Sequence, residues 1–407
     1  MLLNTYFDAI ELHRNDKFVA LRFRTPHRVI STGLDNGGIM DDLDLVYNHQ
    51  SCEPAGPLSR HPSRAVLDRP DLYAAALLER NGLGGLRAAQ LGTAANMSNL
   101  AVVLETYRDI AVLAVATGGV EGNAARAGDP ASGYEFDGRY EPITREQPPA
   151  HGTINVMVAL NQPMLDGALV RAVMTATEAK TAALQELSVP SRYSPSLATG
   201  TGTDQIAVCV PRNGRACPLR GAGHHTSAGE LIGKAVRQAI KETLIFQNGM
   251  HPAERCSCAR LMERFGFSGE ALIEATLPLL SEDARASLRL APQLLDRDPP
   301  VALAVAALVH IYDQIGWGMA PAPCQREAVI RQGAQIAVAA SGRPDRWHHF
   351  HDALAERCAA AGRDDPAFIV PLALGIGYSE KWVRQQDLLT EVEEKIRSSS
   401  TDGSHHE

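Results

Sequence analysis

Four short segments of this chain carry residue types that bind polar ligands or move protons. Ser31-Thr32-Gly33-Leu34-Asp35-Asn36-Gly37-Gly38 follows a β-like run. Its glycines let the backbone approach a ligand closely. Asn36 and Gly37 sit near its end, and an ordinary tight turn is the competing reading. Thr117 to Asp129 leaves the end of an apolar strand and presents Glu121, Asn123, Arg126 and Asp129. Ligands favour strand ends in layered sheets. Its spacing is neither that of a dinucleotide fingerprint nor that of a P-loop, and a loop with an internal Arg–Asp ion pair is the alternative.

Ala198 to Asp204 opens a further strand and holds three hydroxyls, those of Thr199, Thr201 and Thr203. Small residues and hydroxyls supply donors to an anion or to a developing oxyanion. The helical stretch before it places Arg171, Thr175 and Glu178 on one face, with Lys180 on a different one. The fourth segment, Gly223-His224-His225-Thr226, precedes a helix start. An imidazole at a helix N-terminus is held towards its neutral form, which can act as a general base or bind a metal. A capping or loop histidine is the alternative. The nucleophile elbow Gly-x-Ser-x-Gly and the metalloprotease helix His-Glu-x-x-His do not occur. Cys256-Ser257-Cys258 is spaced more tightly than a zinc knuckle and has no second pair. His348-His349-Phe350-His351 reads as a partly exposed cluster.

The elements that must position these segments change character near residue 250. Before it, strand-like and helical runs alternate. Phe18 to Arg24 alternates apolar and polar residues, and His27 to Thr32 reads as a second strand. Leu100 to Thr117 holds two β-rich runs around the turn Thr106 to Asp109, and Ile154 to Leu160 is another. Thr203 to Val210 is a further strand. Glu53 to Arg69 reads as a loop. Asp166 is expected to cap a helix over Gly167 to Leu187, and Ser227-Ala228-Gly229-Glu230 has the capping-box pattern of a second helix that meets Gly249. The expected fold is an α/β (or α+β) layered N-terminal domain with a mixed sheet. An all-α C-terminal domain of roughly six helices follows. The domains are 1–250 and 251–396, and the low-complexity tail 397–407 is expected to be disordered.

The 407 residues are 45% hydrophobic, 21% charged and 5% aromatic, with formal net charge -8. That length fits two domains. The acidic balance, with no basic cluster beyond Arg212 to Arg220, which reads as a loop, argues against nucleic acid as a partner. Seven scattered cysteines, an odd count, fit a reducing compartment. Pro300 to Ile311 is the longest apolar stretch and falls short of the ~20 residues a bilayer needs, so membrane insertion is not expected. No targeting segment is visible, and a cytoplasmic protein is expected. A homo-oligomer is left open.

Taken in order, the segments resemble the adenosylcobinamide amidohydrolase family. The resemblance rests on STGLDNGG at Ser31–Gly38, ATGGVEGNAARAGD at Ala116–Asp129 and GTIN at Gly152–Asn155. It continues with ALVRAVMTATEAKTAALQEL at Ala168–Leu187, SLATGTGTDQIAV at Ser196–Val208 and GHHTSAGELIGKAV at Gly223–Val236. It covers about residues 17 to 248 and leaves the helical part unexplained. It implies hydrolysis of the amide that joins the aminopropanol arm to the corrin ring's propionyl side chain. The products would be adenosylcobyric acid and the free amine. The corrinoid is then substrate, no cofactor is expected, and metal dependence is open. A non-hydrolytic corrinoid-binding or delivery protein is the alternative.

Amide hydrolysis needs a nucleophile, a base, stabilisation of the oxyanion and a proton for the leaving amine. Under this resemblance His224 or His225 is the expected base, oriented by Glu178 or Asp204. The Thr201-Gly202-Thr203 backbone and Asn155 are the expected oxyanion donors. Glu121, Asn123, Arg126 and Asp129 would hold the corrinoid, with Asn36 and Gly37 beside them. Thr199, Thr201 or Thr203 as a covalent nucleophile, and a metal held by His224 or His225, are the other mechanisms.

Overall fold

In the computed structural model, which describes residues 1–51, 69–143, 152–214, 217–280 and 282–401, the chain forms two compact units, Met1–His251 and Pro252–Glu407. The loop expected before Arg69 lies outside the described residues, apart from Arg69 itself.

The first unit is built on one mixed sheet. Its strands are β1 (Leu2–Tyr6), β2 (Ile10–Asn15), β3 (Phe18–Ser31), β4 (Gly38–Gln50), β5 (Ala88–Thr93), β6 (Ala101–Tyr107), β7 (Ile110–Gly119), β11 (Thr153–Leu160) and β13 (Gln205–Pro211). The short pairs are β8 (Ala124–Ala125) with β12 (Gly200–Thr201), and β9 (Gly133–Phe136) with β10 (Arg139–Pro142). Residues 18–31 form one strand where two were expected. Pro26 does not end it. The register with β4 shifts between Arg22 and His27, so the proline sits at a bulge, where its missing N–H costs no ladder bond. β4 had no sequence expectation. It follows the Gly-rich turn, where Asn36 and Gly38 take left-handed φ values of 51° and 80°.

Along β3, β2 pairs with the first half of one edge and β13 with the second half, while β4 runs along the other edge. β5 is parallel to β4, and β11 is parallel to β13. β7 and then β6 continue the sheet antiparallel beyond β11. The sheet curls, so that β4 and β5 face β11. Asn155 on β11 donates to Asn48 on β4 and to the carbonyl of Gly92 on β5.

Period-two alternation divides β11 between two cores. Ile154, Val156, Val158 and Leu160 face an outer core covered by two helices. Met157 and Ala159 face an inner core inside the curl, shared with Val29, Leu91, Val115 and Cys209. The helices are Asp166–Glu186 and Ser227–Asn248. With the earlier Pro70–Arg80 as α1, they are α2 and α3. Neither is capped as expected. The N-cap of α2 is Leu165, with no side-chain cap, and Asp166 instead pairs with Arg28. The cap of α3 is Thr226, one residue before the expected position, and its Oγ1 accepts from the Gly229 amide. Gly249 closes α3 with a left-handed φ of 63°.

The second unit is helical. Its helices are α4 (Pro252–Arg255), α5 (Cys258–Met262), α6 (Gly269–Thr276), α7 (Glu282–Leu290), α8 (Gln293–Asp296), α9 (Pro299–Gly316), α10 (Ala322–Ser341), α11 (Trp347–Ala361) and α12 (Pro366–Thr401). That is more than the six expected, because short turns separate the long helices. Their core includes Val305, Leu308, Ala337, Phe350, Leu354 and Val370. α12 runs to Thr401, past the point where a disordered tail was expected, and residues 402–407 lie outside the described residues. Among the described residues no helix is long and apolar enough to cross a membrane.

Candidate functional site

The inner face of the sheet changes from apolar to polar towards one end. On β11, Thr153 and Asn155 share the face of Met157 and Ala159, and on β13 Gln205 shares that of Ala207 and Cys209. This end holds a cavity of about 540 Å³, walled by Leu34, Asp35, Ser51, Gln90, Gly92, Thr93, Asn123, Gly152, Thr153, Thr203 and Gln205, among others. The size is that of a small-molecule site. The amino ends of β11 and β13 meet the carboxyl ends of β4 and β5 there.

Much of the wall is fixed by hydrogen bonds. The Gln205 side chain accepts from the Gly92 amide at 2.8 Å. Tyr47 donates to Gln90 at 2.9 Å. Asn155, almost wholly buried, uses its amide nitrogen on Asn48 and Gly92, and Asn48 donates to Thr117 at 2.7 Å. Among the described residues, the Oδ1 atoms of Asn155 and Asn123 are buried with no hydrogen-bond partner. The Thr153 and Thr203 hydroxyls are 2.6 Å apart, and Thr203 also donates to the carbonyl of Gly152 at 3.1 Å.

Behind Thr203 lies the most heavily bonded carboxylate of the region. Asp204 accepts from the Ile154 amide at 2.9 Å, the Thr201 amide at 2.9 Å and the Thr201 hydroxyl at 2.5 Å. Lys180 of α2 completes the set with a buried ion pair. Asp204 is thereby saturated as an acceptor, which suits it to holding the 201–204 turn rather than to orienting a histidine. Of the three threonines of the 198–204 segment, only Thr203 walls the cavity. The Thr199 hydroxyl accepts from the Ala127 amide at 2.8 Å.

The Thr117–Asp129 segment divides similarly. Asn123 walls the cavity. Asp129 accepts from the Arg126 amide and the Ser191 hydroxyl. Burial pushes its carboxyl up, but these hydrogen bonds outweigh that and hold it below the usual range. The Arg126 guanidinium donates to the carbonyl of Leu197 at 3.3 Å, and the Glu121 carbonyl accepts from Arg192. These contacts tie loop to loop. In the glycine-rich turn, Asn36 donates to the carbonyl of Ala88, and a Cβ on Gly37 would collide with the carbonyl of Gly33. Both shape the turn, while Leu34 and Asp35 reach the cavity.

His224 lies elsewhere. Its Nε2 is 2.8 Å from Glu178 Oε2, in a groove of about 300 Å³ between α2 and α3 that also includes Thr175, Glu230, Lys234 and Arg237. Both partners are at least half exposed, and His225 is exposed too. The expected His224–Glu178 contact therefore forms, apart from the residues that wall the cavity. Among the described residues no group of three or more His, Cys, Asp and Glu side chains is placed to hold a metal.

Sequence reasoning missed Asp35, Thr153, Gln205 and the partnership of Lys180. A lysine among Ala172, Ala176, Ala179 and Ala183, on the buried stripe of α2, was the available signal for the last. Thr153 and Asn155 at alternate positions of an otherwise apolar strand were the signal for the polar end.

The sequence model of the family described as adenosylcobinamide amidohydrolase matches residues 3–252. An uncharacterized protein of Methanocaldococcus jannaschii is 40% identical over 181 residues, which is 43% of this chain and 70% of that protein. Two solved structures resemble it remotely. A protein from Pyrococcus horikoshii OT3 is 10% identical with a TM-score of 0.28, over 57% of this chain and 77% of that one. A β-aminopeptidase of a Burkholderia species is 11% identical with a TM-score of 0.29, over 60% and 81%. At such scores neither likeness bears on fold or function.

Proposed function

The chain belongs to the adenosylcobinamide amidohydrolase family, and we propose that it hydrolyses the amide joining the aminopropanol arm to the corrin ring, in the cavity at the polar end of the sheet. The observation that carries the placement is the wall itself: the hydroxyls of Thr153 and Thr203, the half-buried carboxylate of Asp35 and fixed amides converge on one space of about 540 Å³. A corrin macrocycle is too large to enter whole, so the arm and its amide go in and the ring stays at the mouth.

In this reading water attacks the amide carbon and Asp35 takes its proton. With the substrate in place the hydroxyls of Thr153 and Thr203 turn from each other and from the Gly152 carbonyl to stabilise the oxyanion, carried by the turn that Asp204 anchors. Collapse breaks the C–N bond, and the amine leaves with the proton returned from Asp35. Thr203 as a covalent nucleophile differs by one intermediate, an ester that water then cleaves. Residues 253–407 lie beyond the matched residues and have no part in this scheme.

A second reading has one observation in its favour. His224 and Glu178 form the base-and-carboxylate pair that hydrolysis calls for, at 2.8 Å. Water screens an exposed pair, however, and an open groove offers little oxyanion stabilisation. The test is incubation of the full chain with adenosylcobinamide, with and without chelator, and detection of adenosylcobyric acid and free aminopropanol by mass spectrometry. Corrinoid that stays bound and unchanged would replace hydrolysis with carriage.

A further inference from the structure

Most side-chain oxygens of the cavity wall are already engaged by the protein. Those of Gln205, Gln90 and Thr93 accept from the Gly92 amide, the Tyr47 hydroxyl and the Ala95 amide. The Thr153 and Thr203 hydroxyls face each other at 2.6 Å. Asn123 is different. Among the described residues it is the wall residue whose side-chain oxygen is buried with no hydrogen-bond partner. Such an acceptor has lost its water and gained nothing in return. Native structures keep few of these, and each calls for a group that completes it. The other orphaned amide, Asn155, is not a wall residue, and its nitrogen is fixed on Asn48 and Gly92.

The chain on either side holds Asn123 in place. Val120 and Ala124 are buried in the outer core. The Val120 amide donates to the Asn248 side chain at 3.3 Å. Ala124 pairs with Thr201 between β8 and β12, and its carbonyl accepts from the Arg192 amide at 2.9 Å. Thr201 belongs to the turn anchored on Asp204, two residues before Thr203. Asn123 and Thr203 thus stand on neighbouring anchored segments, and both wall the cavity. An asparagine side chain has only two torsions, so an anchored backbone confines its oxygen.

We propose that Asn123 Oδ1 accepts the N–H of the amide that is cleaved, and keeps that bond while the nitrogen leaves as an amine. This rests on the function proposed above. A secondary amide brings one acceptor and one donor into the cavity. In that scheme its carbonyl oxygen goes to Thr153 and Thr203. Its N–H then needs an acceptor that is neither the base nor an oxyanion donor, and the Asn123 oxygen accepts without titrating. When the carbon becomes tetrahedral, a lone pair forms on nitrogen. With the N–H held by Asn123, that pair is left on the other side, open to the proton returning from Asp35. The same contact discriminates, because an analogue without the N–H leaves the buried oxygen unpaired.

The test uses the full chain, N-(2-hydroxypropyl)propanamide as the smallest copy of the scissile amide, and the ketone in which CH2 replaces its N–H. Binding is read by ligand-observed NMR and stability by thermal melting. The wild type should bind the amide roughly tenfold more tightly than the ketone. Asn123→Ala should bind the two equally and, unliganded, should melt close to the wild type, since no hydrogen bond to this oxygen is lost. Asn123→Asp keeps an acceptor oxygen and should keep the preference. Equal binding of the two probes by the wild type, binding of neither, or a preference that survives Asn123→Ala would overturn the proposal and leave the oxygen to a buried water. Turnover of adenosylcobinamide separates this from the hydrolase reading. Hydrolysis that Asn123→Ala leaves unchanged sinks the role of Asn123 and keeps the reaction. An Asn123-dependent preference for the amide without hydrolysis sinks the reaction and keeps the acceptor.

Discussion

Lys180 is buried on the sheet-facing stripe of α2 because Asp204 meets it there. The carboxylate is shared between the helix, the 201–204 turn and the amide of Ile154 at the start of β11. One ion pair therefore connects the helix layer to the end of the sheet that walls the cavity. A buried pair of this kind adds little net stability, but breaking it from one side leaves a charge uncompensated. Lys180→Met is expected to cost about 3–5 kcal/mol. Lys180→Met/Asp204→Asn, which removes both charges, should recover about 1 kcal/mol or more of that loss. Urea unfolding of the two variants checks this, and additive losses would show that the two side chains are not coupled.

Gly200 is the neighbour that makes room for the pair. A Cβ there would collide with Asp204 Oδ2 and lie 2.7 Å from Lys180 Nζ. Both atoms are fixed by their other bonds, so the strain cannot be relieved by rotating a free side chain. Gly200→Ala is expected to destabilise by about 1–3 kcal/mol and to reduce turnover by displacing Thr203. Gly202→Ala serves as the control, since a Cβ there meets nothing within 4 Å among the described residues. Equal melting temperatures for the two variants would count against the packing argument.

The cavity and the helix groove make opposite predictions for single substitutions. If Asp35 is the base, Asp35→Asn should lower kcat by about 10²–10⁴-fold. Thr203→Val removes one oxyanion donor and should lower kcat by about 10²–10³-fold. His224→Ala should leave kcat within a factor of about three, since an exposed His–Glu contact contributes little. Steady-state kinetics on adenosylcobinamide decide the matter. The reverse pattern would move the chemistry to the groove between α2 and α3.

Much of the layered fold was legible because apolar periodicity is a local property. The runs that became β6, β7, β11, β13, α2 and α3 each announce themselves within a few residues. β4 did not, because Asp41, Asp42 and Asp44 interrupt its apolar pattern, and its place is decided by pairing with β3 on one edge and β5 on the other. The site was less legible for the same reason. Glu178 and Lys180 were correctly separated onto different faces of one helix. Which face meets Asp204 and which meets His224 depends on how the helix lies on the sheet. Likewise Asp35 reaches Thr203 because β3 and β13 pair antiparallel, with Ser31 opposite Ala207 and Thr32 bonded to Ile206, a relation that no spacing in the chain encodes.

The buried histidines of the sheet also carry a pH dependence. His49 is 7% exposed at the end of β4. Burial, assisted by the charge of Lys17, pushes its imidazole down to about 4. His27 is shifted in the same direction by burial. A histidine buried in its neutral form binds its proton more weakly in the folded state than in the unfolded one. Stability is therefore complete above the unfolded value near 6.5 and falls as pH drops from there towards 4. Between pH 7 and pH 5, His49 should account for a loss of about 1–2 kcal/mol. His49→Gln should be less stable than the wild type at pH 7, because a buried ring is lost, yet show a shallower decline towards pH 5. Urea denaturation at the two pH values checks this, and parallel slopes for wild type and variant would remove His49 as the source.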